Sequence, residues 1–195
     1  EMISVAGSDL PTERREPMFQ KFYPDLYISS TYEIDFDRLY RDGYRGLIFD
    51  IDNTLVTHGA PANEKAKKLF AHLHELGFAT CLISNNQEPR VKPFADAVQS
   101  MYIYDAHKPS TKNYEKAMER MHTDKKNTIF IGDQMFTDVF GANRTGIPSI
   151  MVKKIHWKEE IQIVLKRRLE AIVLISYRNY RKTHRSIFEN REEEK

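Results

Sequence analysis

Gly46-Leu47-Ile48-Phe49 runs without a polar residue into Asp50-Ile51-Asp52-Asn53-Thr54, and this junction constrains the chain more than any other stretch. A short apolar run that ends in acids suits a strand buried on both faces of a parallel sheet. Open α/β sheets place their ligands at the carboxyl ends of such strands. Asp50 and Asp52 therefore either mark a plain polar loop or hold a cation and do chemistry. The Asp-x-Asp-x-Thr pattern by itself leaves both readings open.

Similar punctuation recurs downstream. Ala66, Leu69, Phe70, Leu73 and Leu76 lie at helical spacing and predict a helix over 63–76 that stops at Gly77. Strand-like runs at 78–84, 101–104, 128–132 and 149–152 alternate with helical patterns at 90–98, 111–121 and 136–145, with Ser110 or Thr111 as the expected cap of the second. Strands alternating with helices across short loops predict right-handed crossovers and an α/β, doubly wound, Rossmann-like parallel sheet of five strands.

Polar residues fall at four of these strand ends. Asp50 and Asp52 follow the first, Ser84 and Asn85 the second, Lys108 comes shortly after the third, and Gly132-Asp133 with Asp138 follows the fourth. A carboxylate nucleophile, a hydroxyl, a lysine and two further carboxylates on one sheet edge are what phosphoryl transfer through an aspartyl intermediate requires. Each also has a plainer reading. Ser84 and Asn85 suit a turn, Lys108 before Pro109 a solvated loop, and Asp138 a first-turn acid favoured by the helix dipole.

Taken together, Phe49-Asp50-Ile51-Asp52-Asn53-Thr54-Leu55, Ser84-Asn85-Asn86, Lys108-Pro109 and Gly132-Asp133-Gln134 with Thr137-Asp138 resemble the four motifs of the haloacid dehalogenase (HAD) superfamily, from about Gly46 to Val152. Within it they look like the YqeG branch of the subclass IIIA phosphatases, which is similar to the mitochondrial phosphatidylglycerophosphate phosphatases. The resemblance implies Asp50 as nucleophile, Asp52 as general acid and base, and Ser84 and Lys108 as holders of the transferring oxygens. It further implies Mg2+ bound by Asp50, the main-chain carbonyl of Asp52 and Asp133, with Asp138 behind them. Thr54 and Asn85 are further substrate contacts on this reading. Asn53 stands where many HAD phosphatases carry glycine.

Only 34 positions separate Asp50 from Ser84, and 24 separate Ser84 from Lys108. Neither gap holds a cap domain, so the site is expected to be open and to suit a phosphate carried on something large. The tail favours a lipid: Ile161, Val164, Leu165, Leu169, Ile172 and Val173 lie among Lys158, Lys166, Arg167, Arg168, Arg178 and Arg181, a basic amphipathic helix suited to an anionic membrane surface or to packing on protein. The expected organisation is a leader over 1–17, an aromatic arm over 18–45, the catalytic core over 46–156, the basic helix over 157–185 and a charged tail over 186–195.

With 195 residues and 41% hydrophobic content the chain can bury one core, and a net charge of +2 excludes a wholesale polyanion binder, so no nucleic-acid partner is expected. The one cysteine, Cys81, lies in an apolar run and suits a reduced, cytoplasmic setting. No segment approaches the ~20 apolar residues that span a bilayer. The expectation is a Mg2+-dependent phosphatase of phosphatidylglycerophosphate, peripheral on the inner membrane face. The alternatives are a phosphatase of protein or nucleic-acid ends, and a non-catalytic binding module. Nothing in the pattern indicates an oligomeric state.

Overall fold

The computed structural model describes residues 19–155 and 161–184; the expected leader over 1–17 and charged tail over 186–195 lie outside them. Six parallel strands form the sheet: β1 (Leu26–Ile28), β2 (Gly46–Phe49), β3 (Ala79–Ile83), β4 (Met101–Ile103), β5 (Thr128–Gly132) and β6 (Ser149–Val152), in the order β1-β6-β5-β2-β3-β4. The expectation of five strands is corrected by β1. Leu26-Tyr27-Ile28 lies in the aromatic arm and is too short to announce itself; its pairing to Ile150-Met151-Val152 defines it as a strand.

Alternation within the strands builds two cores. In β2, Leu47 and Phe49 face one side with Phe36, Phe70, Leu73 and Phe94, while Ile48 faces the other with Phe130, Tyr114 and Met118. The first layer comes from α1 (Phe36–Arg41), α2 (Glu64–Leu76) and α3 (Glu88–Val98), the second from α4 (Lys112–Met121) and α5 (Phe140–Thr145). The α2 helix ends as its sequence predicts: Gly77 takes φ 97° and its N–H bonds to the carbonyls of His74 and Leu73. The N-terminus of α4 departs from expectation, since Thr111 occupies the cap position without donating or accepting a side-chain cap bond.

The chain leaves β2 for β3 on one side and returns from β4 to β5 on the other, so β2 and β5 flank the point where the winding reverses. Open sheets wound in this way bind their ligands there, at the carboxyl ends of the strands. The expected helix over 136–145 is in fact two pieces, a π-helical turn over Met135–Val139 followed by α5. Wider turns of this kind commonly occur at functional sites.

The last helix, α6 (Ile161–Arg181), buries Val173 and Tyr177 against Tyr23, Met135, Val139 and Met151. Leu169, Ile172 and Ile175, at i, i+3 and i+6, are 51%, 53% and 60% exposed. One side of the helix therefore packs on protein and another does not. No helix among the described residues is long and apolar enough to cross a membrane.

Candidate active site

Asp50 is the first residue past β2, and its N–H bonds to the Ile131 carbonyl of β5 at 2.9 Å, so sheet pairing fixes its position. Asp133 is the first residue past β5. Asp50, Asp133 and Asp138 each present a carboxylate oxygen within 4.8 Å of the others, and all three are buried. Lys108, whose side chain is 3% exposed, donates to Asp50 Oδ1 at 2.6 Å and Asp138 Oδ1 at 2.7 Å. The Thr54 hydroxyl lies 3.3 Å from Asp133 Oδ1 and 3.5 Å from Asp50 Oδ2.

Three buried carboxylates face one buried ammonium. Burial pushes Asp50 up to about 6, against Lys108, with Asp138 adding to the rise. Burial likewise raises Asp133 well above its ordinary value, with Asp50 and Asp138 adding to it. For Lys108, burial would lower the ammonium's proton affinity, but Asp138 and Asp50 outweigh it and hold it above the ordinary lysine value. Asp133 Oδ2 is buried with no hydrogen-bond partner. An orphaned carboxylate oxygen within an acidic triad, together with the excess negative charge, fits a hard divalent cation.

Neighbouring elements hold these groups in place. Asn85 accepts the Lys108 N–H at 2.7 Å and donates to the Lys108 carbonyl at 3.3 Å, so its amide is spent on the lysine's main chain. Asp138 Oδ2 accepts the Gln134 N–H, and Tyr114 from α4 donates to the Thr137 and Asp138 carbonyls. The arm supports the opposite wall: Thr31 and Tyr32 donate to the carbonyls of Thr54 and Leu55 at 2.8 and 2.7 Å. Asn53 takes φ 64°, a left-handed conformation that Asn tolerates better than most residues, which accounts for its presence where glycine is frequent.

Ser84, at the end of β3, is 2% exposed and its Oγ accepts the Asn86 N–H. Asp52 is placed apart from the acidic triad. Its Oδ1 accepts from Gly59 N–H and Arg90 Nη2, and its Oδ2 from Asn86 Nδ2, each at 2.8 Å. Arg90, Asn86 and Gly59 are neighbours of Asp52 to which the sequence reading gave no role, although Asn86 lies in the quoted Ser84-Asn85-Asn86 motif. A signal existed for the first: Arg90 lies in the first turn of α3, where a cation opposes the helix dipole and so calls for a local carboxylate.

Gly132 is fixed by close approach. A methyl group there would fall on the Asp138 carboxylate and the Phe130 ring. Gly132→Ala is expected to cost about 1–3 kcal/mol in denaturant unfolding, as overpacking does, and to depress turnover by displacing Asp138 from Lys108.

A profile of HAD-hydrolase-like proteins matches residues 106–160. The chain is 33% identical over 159 residues to the probable phosphatase YqeG of Bacillus subtilis, covering 80% of this chain and 92% of that protein. The chain belongs to the YqeG family of HAD-type phosphatases. Among more distant relatives, phosphatidylglycerophosphate phosphatase 1, chloroplastic/mitochondrial, of Arabidopsis thaliana is 24% identical over 162 residues, 77% of this chain and 47% of that protein. The crystal structure of an uncharacterized protein from Listeria monocytogenes superposes with a TM-score of 0.47 at 18% identity, covering 68% of this chain and 98% of that one.

Proposed function

We propose that the protein is a Mg2+-dependent phosphomonoesterase that removes the terminal phosphate of phosphatidylglycerophosphate at an anionic membrane surface. The single observation that carries the catalytic half is the buried Asp50 carboxylate, bonded to Lys108 through Oδ1 and placed within a cation-sized triad of acids. Asp50 attacks phosphorus, the bond to the leaving oxygen breaks, and that oxygen takes a proton from Asp52. Water then attacks the same phosphorus, its proton passes to Asp52, and the bond to Asp50 breaks. Ser84 and Lys108 hold the transferring oxygens, with Thr54 beside them; Asn85 acts through Lys108. Asp50, Asp133 and the Asp52 carbonyl would hold Mg2+, with Asp138 behind them, and the ion would supply charge to offset the carboxylates and phosphate.

The lipid half is supported by three features. Only α2 stands between β2 and β3 and only α3 between β3 and β4, so neither connection carries a cap domain over the site. The exposed Leu169, Ile172 and Ile175 share α6 with the exposed Arg178, and Lys182 follows it, a combination that suits insertion at an anionic headgroup layer. The Arabidopsis relative is named for this lipid. On this reading residues 46–156 form the catalytic unit, flanked in the sequence by the aromatic arm of 18–45 and the basic segment of 157–185, and the protein works at the inner face of the cytoplasmic membrane.

A panel of phosphatidylglycerophosphate in anionic vesicles, phosphopeptides and nucleotides at equal Mg2+ tests the assignment. The lipid is expected to lead in kcat/KM by at least about tenfold, and Ile172→Glu to reduce sedimentation with the vesicles. Turnover of phosphopeptides or nucleotides without release from the lipid would remove the lipid assignment and leave the phosphatase.

A further inference from the structure

The Asp52 carboxylate is more heavily engaged than a loop residue needs to be. Three donors from three segments meet it: the Gly59 N–H of the loop that follows β2, the Asn86 amide past β3, and the Arg90 guanidinium of α3. The Asp52 and Arg90 side chains are 10% and 21% exposed, so this is a largely desolvated, charge-assisted contact. The guanidinium lies over the Phe94 ring, 5.6 Å from its centroid, while its Nε is buried with no partner. A buried donor left unbonded is costly. That cost is accepted in a geometry that delivers Nη2 to Asp52. Asn86 adds a second link, because its N–H donates to Ser84 Oγ while its side chain donates to Asp52 Oδ2, which ties the hydroxyl at the β3 end to the carboxylate past β2.

We propose that Arg90 and Asn86 are positioning residues that hold the Asp52 carboxylate over the leaving oxygen. They act through Asp52 and touch no substrate atom themselves. This rests on the phosphomonoesterase reading, in which the leaving oxygen takes its proton from Asp52 as the phosphorus–oxygen bond breaks, and water later returns a proton to Asp52. A misplaced general acid matters only when the leaving group needs a proton. An alkoxide needs one, whereas p-nitrophenolate departs without help.

The test compares kcat/KM of the Mg2+-loaded full chain, Arg90→Gln and Arg90→Lys on an alkyl phosphate such as glycerol phosphate and on p-nitrophenyl phosphate. This ratio reports steps up to the first loss of leaving group, so it isolates the acid role. Arg90→Gln is expected to lose about 30- to 100-fold on the alkyl ester, up to the low end of the roughly 10²–10⁴-fold that general acid catalysis supplies, and less than about threefold on the aryl ester. Arg90→Lys keeps the charge without the fork and should fall between. Asn86→Ala should show the same selectivity in smaller measure. The aryl ester also reports folding, because an unfolded variant loses both substrates. An equal loss on the two esters, by Arg90→Gln and Asn86→Ala alike, overturns the positioning role. A wild-type chain that releases phosphate from neither ester nor from phosphatidylglycerophosphate in vesicles overturns the phosphomonoesterase reading instead.

Discussion

Asp50→Asn is expected to lower phosphate release on the order of 10⁴–10⁶-fold, the scale seen when a covalent nucleophile is removed, while making the metal-free protein more stable at neutral pH. The second effect follows from linkage. Asp50 is held up to about 6 in the fold, chiefly by burial, against about 3.9 in an unfolded chain. The folded state therefore binds the proton more tightly, and ionising Asp50 inside the site disfavours folding. That penalty is absent below about pH 4, grows between about pH 4 and 6, and is complete above about 6. A rise of roughly two units corresponds to on the order of 3 kcal/mol. The neutral amide of Asp50→Asn escapes it, so in EDTA at pH 7.5 the variant should melt several degrees higher, since about 1 kcal/mol moves a domain of this size by about 2–4 °C. Mg2+ should stabilise the wild type more than the variant, because the excess carboxylate charge it offsets is smaller in Asp50→Asn. Melting curves with and without Mg2+ at pH 5 and 7.5 check all three statements. A variant that melts lower than wild type at pH 7.5 in EDTA would contradict the electrostatic account.

Lys108→Met should be the most destabilising single change at the site. The methionine matches the lysine stem in length but removes the ammonium that meets Asp50 and Asp138 at 2.6 and 2.7 Å. Breaking a buried pair strands the remaining charges, which costs about 3–5 kcal/mol. The sign with pH is specific. Without Lys108 the carboxylates rise further, so the folded state favours their protonated forms and the deficit is greatest above neutrality. It should shrink as pH falls and the acids take up protons. Urea titrations at pH 7.5 and 5 measure this directly, and a deficit that is the same at both would place its origin in lost packing against Phe130 rather than in charge. Turnover should vanish with the fold intact at the lower pH, since the transferring oxygens lose their cation.

Much of the site could be read from the chain because burial and chemistry made local demands. Gly46 to Phe49 are buried throughout, and their uninterrupted apolar run announced a central strand. Acids directly after β2 and β5, and a serine after β3, have no structural need to recur at strand ends, and that repetition pointed to one edge. The misses were of other kinds. Leu26–Ile28 is a strand by virtue of β6 beside it, and three residues cannot signal a partner more than a hundred positions away. The Met135–Val139 turn widens where Tyr114 donates to the Thr137 and Asp138 carbonyls, a long-range contact that helical periodicity does not report. For Asn85, expected as a substrate contact, the structure adds a bond that the chain could not show: its amide meets the main chain of Lys108.

The sequence by itself determined which functional groups reach the carboxyl edge of a parallel sheet, because strand periodicity and the reversal of winding are set by local apolar pattern and short loops. Only the tertiary structure decided how the four acids divide. Asp50, Asp133 and Asp138 share one cation-sized cluster, whereas Asp52, two residues from Asp50, turns to Gly59, Asn86 and Arg90. That division depends on where β3, α3 and the loop after β2 come to rest against one another. In a desolvated space, distances of a few ångströms settle which charges are paired and which are left for a metal.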